Sequence, residues 1–198
     1  HPEAFWAEEA RRRLTWDKEF HTVRDSDFSE GTVSWFLGGK LNVASNCVDR
    51  HVATRGDQVA ILWEGDKPEE VRRITYRELQ RSVSRMANVL LRYGVRKGDR
   101  VAIYLPMIPE AAVAMLACAR IGAVHTVVFA GFSADALRDR ILDADAVCVI
   151  TADQGVRGGK TIPLKRTVDE AVMAAPSVRN VFVTKRTGAK VPFFAPRD

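Results

Sequence analysis

The segment Gly155-Val-Arg-Gly-Gly-Lys160-Thr161 concentrates the residues of this chain best suited to hold a phosphate. It follows an apolar run and precedes a helical pattern, the setting of a phosphate loop. A Walker-type loop needs its first glycine at position 154, where Gln154 stands. That spacing builds the ring of backbone N–H groups around the phosphates, and a one-residue slip breaks it. What remains is a flexible basic loop. In it Arg157 and Lys160 either meet a phosphate by charge or stand solvated without a ligand, and the residues alone leave both readings open.

A second segment, Phe129-Ala-Gly131-Phe-Ser133, reads as a strand end, a tight turn and a helix start. Gly131 lets a ligand approach the backbone, and the helix amides favour an anion or a polar ring edge. A plain glycine turn capped by Ser133 fits equally well. Nothing else carries reaction chemistry. Ser29, Ser34 and Ser133 lack the G-x-S-x-G setting of a nucleophile, and Cys118 lies mid-helix. Asp139, Asp143 and Asp145 are expected to face solvent or a helix end. No catalytic residue and no metal ligand set is assigned.

Around these two loops, apolar runs and helical patterns alternate. Strands are predicted at 101–105, 123–129, 146–151 and 181–184, with helices over 109–121, 133–144 and 163–174 between them. Pro109 suits the first helical turn, and Gly122 suits a left-handed helix cap. Strand–helix–strand alternation implies parallel strands joined by right-handed crossovers. The fold class is therefore α/β: a doubly wound, mostly parallel sheet flanked by helices. Ligands of such sheets bind beyond the carboxyl ends of the strands, which brings the loops 106–108, 130–133 and 152–160 together.

Upstream, Val59–Trp63 and Val71–Tyr76 are strand candidates joined by a turn containing Gly65-Asp66. Thr75 and Glu78 then form a capping box, followed by Leu79, Val83, Met86 and Leu90 at helical spacing. Residues 1–58 read as an extension packed on the main domain, anchored by Phe5, Trp6, Trp16, Trp35 and Phe36; the main domain spans 59–198. Within the extension a helix is expected over 41–52, with Asp49 and His51 on its solvated face. Beyond Val183 the pattern decays, and Phe193-Phe194 needs a partner. The chain is expected to stop mid-domain.

At 198 residues with 46% hydrophobic and 28% charged content, the chain is long enough for one substantial core. No apolar run approaches the ~20 residues that span a bilayer, so no membrane partner is expected. The net charge is +5, but the basic residues are dispersed among acidic ones and do not alternate with aromatics. Nucleic acid is therefore not an expected partner, and small polyanions suit the charge better. Cys47, Cys118 and Cys148 are odd in number and lie among apolar residues, as expected of buried, reduced intracellular thiols.

Longer strings carry a resemblance. Trp35-Phe-Leu-Gly-Gly-Lys-Leu-Asn42, Asn46-Cys-Val-Asp-Arg-His51, Trp63-Glu-Gly-Asp66, Ile74-Thr-Tyr-Arg-Glu-Leu79 and the stretch 97–133 closely resemble the early part of AMP-forming acetyl-CoA synthetases, in the acyl-adenylate-forming family. The resemblance implies a parent enzyme that joins acetate to ATP as acetyl-adenylate, with Mg2+ accompanying ATP, and then passes the acetyl group to CoA. This chain would be the first subdomain of the large domain, lacking the C-terminal part. Phe129 and Gly131 would border the CoA adenine, and Arg157 would face the 3′-phosphate. Lys160 stands where the family often has arginine; it keeps the charge and loses the bidentate fork.

The family's Thr/Ser/Gly-rich phosphate loop, acetate pocket, ribose-binding aspartate and lid lysine do not occur in these residues. The isolated chain is expected to be inactive and to hold no cofactor tightly. Propionyl-CoA synthetases would share this region, and a scaffold subunit retaining the fold is a further reading. His21–Asp27 and Trp35–Asn42 resemble mitochondrial forms, so the mitochondrial matrix is the expected location, with the cytosol as alternative.

Overall fold

In the computed structural model, which describes residues 1–198, the chain opens with helix α1 (Pro2–Arg13) and an antiparallel hairpin of β1 (Thr22–Asp27) and β2 (Thr32–Leu37). Together they bury a small cluster of Ala7, Ala10 and Phe20, against which Leu14, Trp16, Val23 and Phe36 pack. The Phe20 ring lies 5.2 Å from Trp16 and 4.9 Å from Phe36. A wide helical turn (Ser45–Asp49) leads into α2 (Arg50–Arg55).

The helix expected over 41–52 starts later because Asn42 accepts the Ser45 N–H at 3.1 Å, leaving Leu41 ahead of the first turn. Asp49 does not face solvent. It accepts from Arg120 at 2.7 Å and from Gln80 at 3.0 Å. With Val48 in the main core, it seats the extension on the body of the molecule. His51 is half-exposed, and its ring meets Tyr76 edge-on at 5.1 Å. Burial, with Arg55 and Arg50 beside it, pushes its pKa below the usual histidine value. A third expectation also fails. Cys118 and Cys148 are buried, whereas Cys47 is exposed, because the turn carrying it puts Val48 inward instead.

The next hairpin, β3 (Val59–Glu64) with β4 (Val71–Thr75), is antiparallel and forms a sheet of its own. Helix α3 (Tyr76–Arg92) follows with the expected capping box: Thr75 Oγ1 accepts the Glu78 N–H at 3.2 Å, and Glu78 accepts the Thr75 N–H at 2.8 Å. Leu79, Val83, Ala87 and Leu90 are its buried face.

The main sheet is built from β5 (Arg100–Tyr104), β6 (Val124–Val127), β7 (Cys148–Ala152) and, after a third hairpin of β8 (Gly155–Arg157) and β9 (Lys160–Ile162), β10 (Asn180–Thr184). Its order is β10-β7-β5-β6 with every pair parallel. Helices α4 (Pro109–Ile121), α5 (Ala134–Asp143) and α6 (Leu164–Val172) connect the strands.

Strand β7 is buried over its whole length, and β5 from Val101 onward, as parallel strands covered on both faces must be. Gly122 caps α4 at φ +72°, the left-handed conformation expected of it. Strand β6 stops at Val127 rather than 129. Gly131 and Phe132 both donate N–H to the Phe129 carbonyl, at 2.8 and 3.1 Å, so the last predicted strand residues bend into the turn.

Residues 192–198 return to the body through charge. Lys165, wholly buried on α6, donates to Asp169 (2.7 Å), to Asp198 (2.8 Å) and to the Pro192 carbonyl (3.0 Å). The Phe193 and Phe194 ring centroids lie 5.7 and 5.3 Å from its ammonium, which is the partner their apolar faces meet.

Candidate functional site

The carboxyl ends of β5, β6 and β7 open onto a cleft of about 540 Å³. One wall is Leu105–Met107 after β5, another is Val127–Ala130 after β6, and the third is the β8–β9 hairpin through Gly155, Val156, Arg157 and Ile162. These are the loops that the strand-end rule singles out. The cleft is apolar with one guanidinium at its mouth, the composition that suits an organic ligand bearing an anionic group.

The predicted basic loop is folded as a hairpin. Arg157 pairs with Lys160 in register, and the two-residue tip places Gly158 at φ +56° and Gly159 at φ +72°. A turn with both central residues at positive φ is cheap only for residues such as glycine. Both tip amides are engaged: Gly158 N–H donates to one Asp66 carboxylate oxygen at 2.9 Å, and Gly159 N–H to the other at 2.8 Å. The amides that a phosphate loop would hold open are here closed by a carboxylate from the β3–β4 turn.

Arg157 and Phe129 come together. The guanidinium carbon lies 5.6 Å from the Phe129 ring centroid, and Phe129 is 55% exposed. Phe129 in turn meets Phe132 edge-on at 5.8 Å, and Arg140 covers the Phe132 ring at 4.6 Å. Gly131 acts through Phe129: a Cβ there would lie 2.6 Å from the Phe129 ring, so the missing side chain makes room for that ring. Ser133 caps α5 by accepting the Ala136 N–H at 3.3 Å. Lys160 does not line the cleft. It stands exposed on the second hairpin strand, across from Arg157.

Several residues that position this site were not singled out from the sequence. Tyr104 donates its hydroxyl to the Phe132 carbonyl at 2.7 Å and so pins the glycine turn from below; burial pushes its phenol pKa up. Asp153, buried at the end of β7, accepts backbone N–H groups from Gln154 (2.7 Å), Arg186 (2.8 Å), Gly188 (2.7 Å) and Ala189 (3.1 Å). Burial alone would raise its pKa, but those N–H donors outweigh it and hold the carboxyl below its ordinary value. Asp66 read only as a turn former. Its signal, an acidic side chain beside a glycine at a hairpin end, gives no hint of the distant amides it binds.

No three His, Cys, Asp or Glu side chains converge anywhere in the chain. These residues therefore offer Mg2+ no ready cage. No helix is long and apolar enough to cross a membrane.

Compared with known proteins, residues 48–192 match the AMP-binding enzyme family, and residues 1–47 match the acetyl-coenzyme A synthetase N-terminus. The chain is 59% identical over 197 residues to acetyl-coenzyme A synthetase 2 of Pseudomonas aeruginosa, a match covering 100% of this chain and 30% of that protein. It is 57% identical over 197 residues to the acetyl-coenzyme A synthetase of Penicillium chrysogenum, covering 100% of this chain and 29% of that one. Among solved structures, acetoacetyl-CoA synthetase from Streptomyces lividans superposes with a TM-score of 0.88 at 32% identity, over 96% of this chain and 29% of its own. The chain thus spans about 30% of the length of the curated relatives it matches. These bacterial and fungal relatives lend no support to a location in the mitochondrial matrix.

Proposed function

This chain belongs to the AMP-binding enzyme family, and from that premise we propose that its parent is an AMP-forming acetate–CoA ligase whose CoA lies along the cleft at the ends of β5, β6 and β7. In such a reaction the acetate carboxylate attacks the α-phosphorus of ATP, giving acetyl-adenylate and pyrophosphate. The CoA sulfur then attacks the acetyl carbon, and AMP leaves. The residues of this chain bind and orient; none of them is assigned a proton transfer or a bond to the reacting carbon.

The observation that carries the reading is the pairing of Arg157 with Phe129. An exposed aromatic ring at the cleft mouth is a stacking surface for the CoA adenine. The guanidinium 5.6 Å from its centroid is a donor for the adjacent 3′-phosphate, and no carboxylate neutralises it. Gly131 leaves room for that ring. Lys160 adds positive potential from the far strand of the hairpin. The acetyl specificity rests on the names of the relatives. The phosphate-gripping loop and lid of the parent would come from outside the chain, so the 198 residues alone should release no acetate-dependent pyrophosphate from Mg·ATP.

Dephospho-CoA tests the assignment. The native ligase should use CoA at lower concentration than dephospho-CoA, and Arg157→Ala should remove that preference while leaving the requirements for ATP and acetate unchanged. Equal discrimination in both proteins would show that Arg157 does not meet the 3′-phosphate.

A further inference from the structure

The β3–β4 hairpin joins no other sheet, yet its turn is braced from several sides. Gly65 N–H closes it onto the Glu70 carbonyl at 2.7 Å. The Glu70 carboxylate pairs with Arg186 at 2.7 Å. Trp63 Nε1 donates to the Met107 carbonyl at 2.7 Å, tying the hairpin to the cleft wall. Arg186 also lies over the Trp63 ring, 5.3 Å from its centroid. Asp66 projects from this braced turn, with one oxygen on each tip amide of the β8–β9 hairpin, more than ninety positions away in sequence.

We infer that Asp66 is a positioning residue for Arg157: a latch that holds the β8–β9 hairpin so that the guanidinium stays over Phe129. The hairpin needs one. Its strands are three residues each, and a ladder that short has little stability of its own. Two consecutive residues at positive φ turn both tip amides toward the same side, a concavity that captures anions. A carboxylate with one oxygen on each amide fixes the tip in position and in rotation. Arg157 immediately precedes that tip, so its side chain leaves a fixed point.

The latch also sorts the anions the hairpin can bind. With both tip amides taken by Asp66, a ligand phosphate is left with the side chains of Arg157 and Lys160. Phosphate recognition is thereby moved from the turn backbone to a guanidinium placed beside an aromatic ring. This function of Asp66 rests on the CoA reading; the latch itself rests on geometry alone.

The test uses the full-length ligase that contains this chain, with Asp66→Ala and Asp66→Asn. Hydrogen–deuterium exchange over 155–162 should speed up in Asp66→Ala. The KM for CoA should rise about three- to tenfold, as expected when charge-assisted hydrogen bonds that are partly open to water are lost. The kcat and the KM for ATP should stay put. Asp66→Asn keeps the shape but offers only one acceptor oxygen to two amides, so both readouts should shift in the same direction by less. It also serves should Asp66→Ala fail to fold. Unchanged exchange in both variants would overturn the latch. Faster exchange with an unchanged KM for CoA, in an enzyme where Arg157→Ala does raise that KM, would overturn the positioning role. If Arg157→Ala and both Asp66 variants leave the CoA requirement untouched while exchange rises, the CoA assignment falls and the latch alone stands.

Discussion

Lys165 and Arg157 are close in sequence and alike in charge, yet the fold uses them in opposite ways. Lys165 is wholly buried, with Asp169 and Asp198 at 2.7 and 2.8 Å and a carbonyl at 3.0 Å. Arg197 joins the same cluster, 2.7 Å from Asp169 and 2.6 Å from Asp198. Every charge there has an opposite partner, so nothing is left over for a ligand. Arg157 is exposed, lies over an aromatic ring, and has no carboxylate to satisfy it. A neutralised buried cation holds chain to chain, whereas a cation left unpaired at a cleft is free to hold something else. Composition counts the two alike; only the surroundings separate them.

The largest expected effect falls on the buried member. Lys165→Ala leaves Asp169 and Asp198 short of a cation in a dry setting, and removing one partner of a buried pair costs about 3–5 kcal/mol. Chemical denaturation of the chain should show that loss, together with release of 192–198 from α6. A change below about 0.5 kcal/mol, the size typical of surface substitutions, would erase the contrast with Arg157.

Acid should break the same region. The carboxyl of Asp198 is buried, which alone would raise its pKa; hydrogen bonds from Arg197 and Lys165 outweigh that and lower it. Asp153 is lowered in the same sense. A carboxyl whose folded pKa lies below its unfolded value, roughly 3.9 for aspartate, stabilises the fold above that value. The contribution disappears as pH falls through the lower, folded value. Stability measured by denaturation should therefore be insensitive to these two groups from pH 5 to 8 and decline below about pH 4. Asp153→Asn should flatten part of that decline. An acid slope identical to the native one would mean that its N–H cage contributes nothing.

Arg157→Ala reverses the pattern: denaturation midpoints should hardly move, while the parent's requirement for CoA should rise about tenfold to hundredfold, the span expected when a charge-assisted contact to phosphate is lost. A variant that loses stability and spares CoA would put Arg157 in the same class as Lys165.

Much of the frame was legible because local rules and tertiary demands agree. The mostly apolar runs of β5 and β7, the Thr75–Glu78 capping box and Gly122 at φ +72° are each visible within a few residues. Phe129 and Arg157 were reachable too, one at a strand end and the other in a glycine-rich basic loop. The carboxylates that do the positioning were not. Asp66 binds amides of Gly158 and Gly159, and Asp153 binds those of Arg186, Gly188 and Ala189. A side chain that bonds distant backbone leaves no complementary residue type to look for, since every residue but proline carries the same N–H. Asp49 was misread for a related reason: its partner Arg120 lies on α4, and helical spacing around position 49 cannot reveal a neighbour from another element.

The smallest effect separates two cations on one hairpin. Arg157 and Lys160 are paired across the β8–β9 ladder, so both would feel the same loss of order if the hairpin moved. They differ in what lies beside them. The Arg157 guanidinium lies over Phe129 at the cleft mouth, where the ring limits its hydration. Lys160 projects into solvent, where an ammonium gives up much of its pairing energy to water and salt. Lys160→Ala should therefore raise the CoA requirement by less than about threefold, shrinking further at higher ionic strength because only a screened, long-range attraction is lost. Lys160→Arg should recover or exceed the native value, because a guanidinium on the same strand can add a planar fork. If Lys160→Ala instead matched Arg157→Ala at every salt concentration, the phosphate would have to sit between the two side chains at the hairpin rather than beside Phe129, and the aromatic ring would lose its place as the reference point of the site.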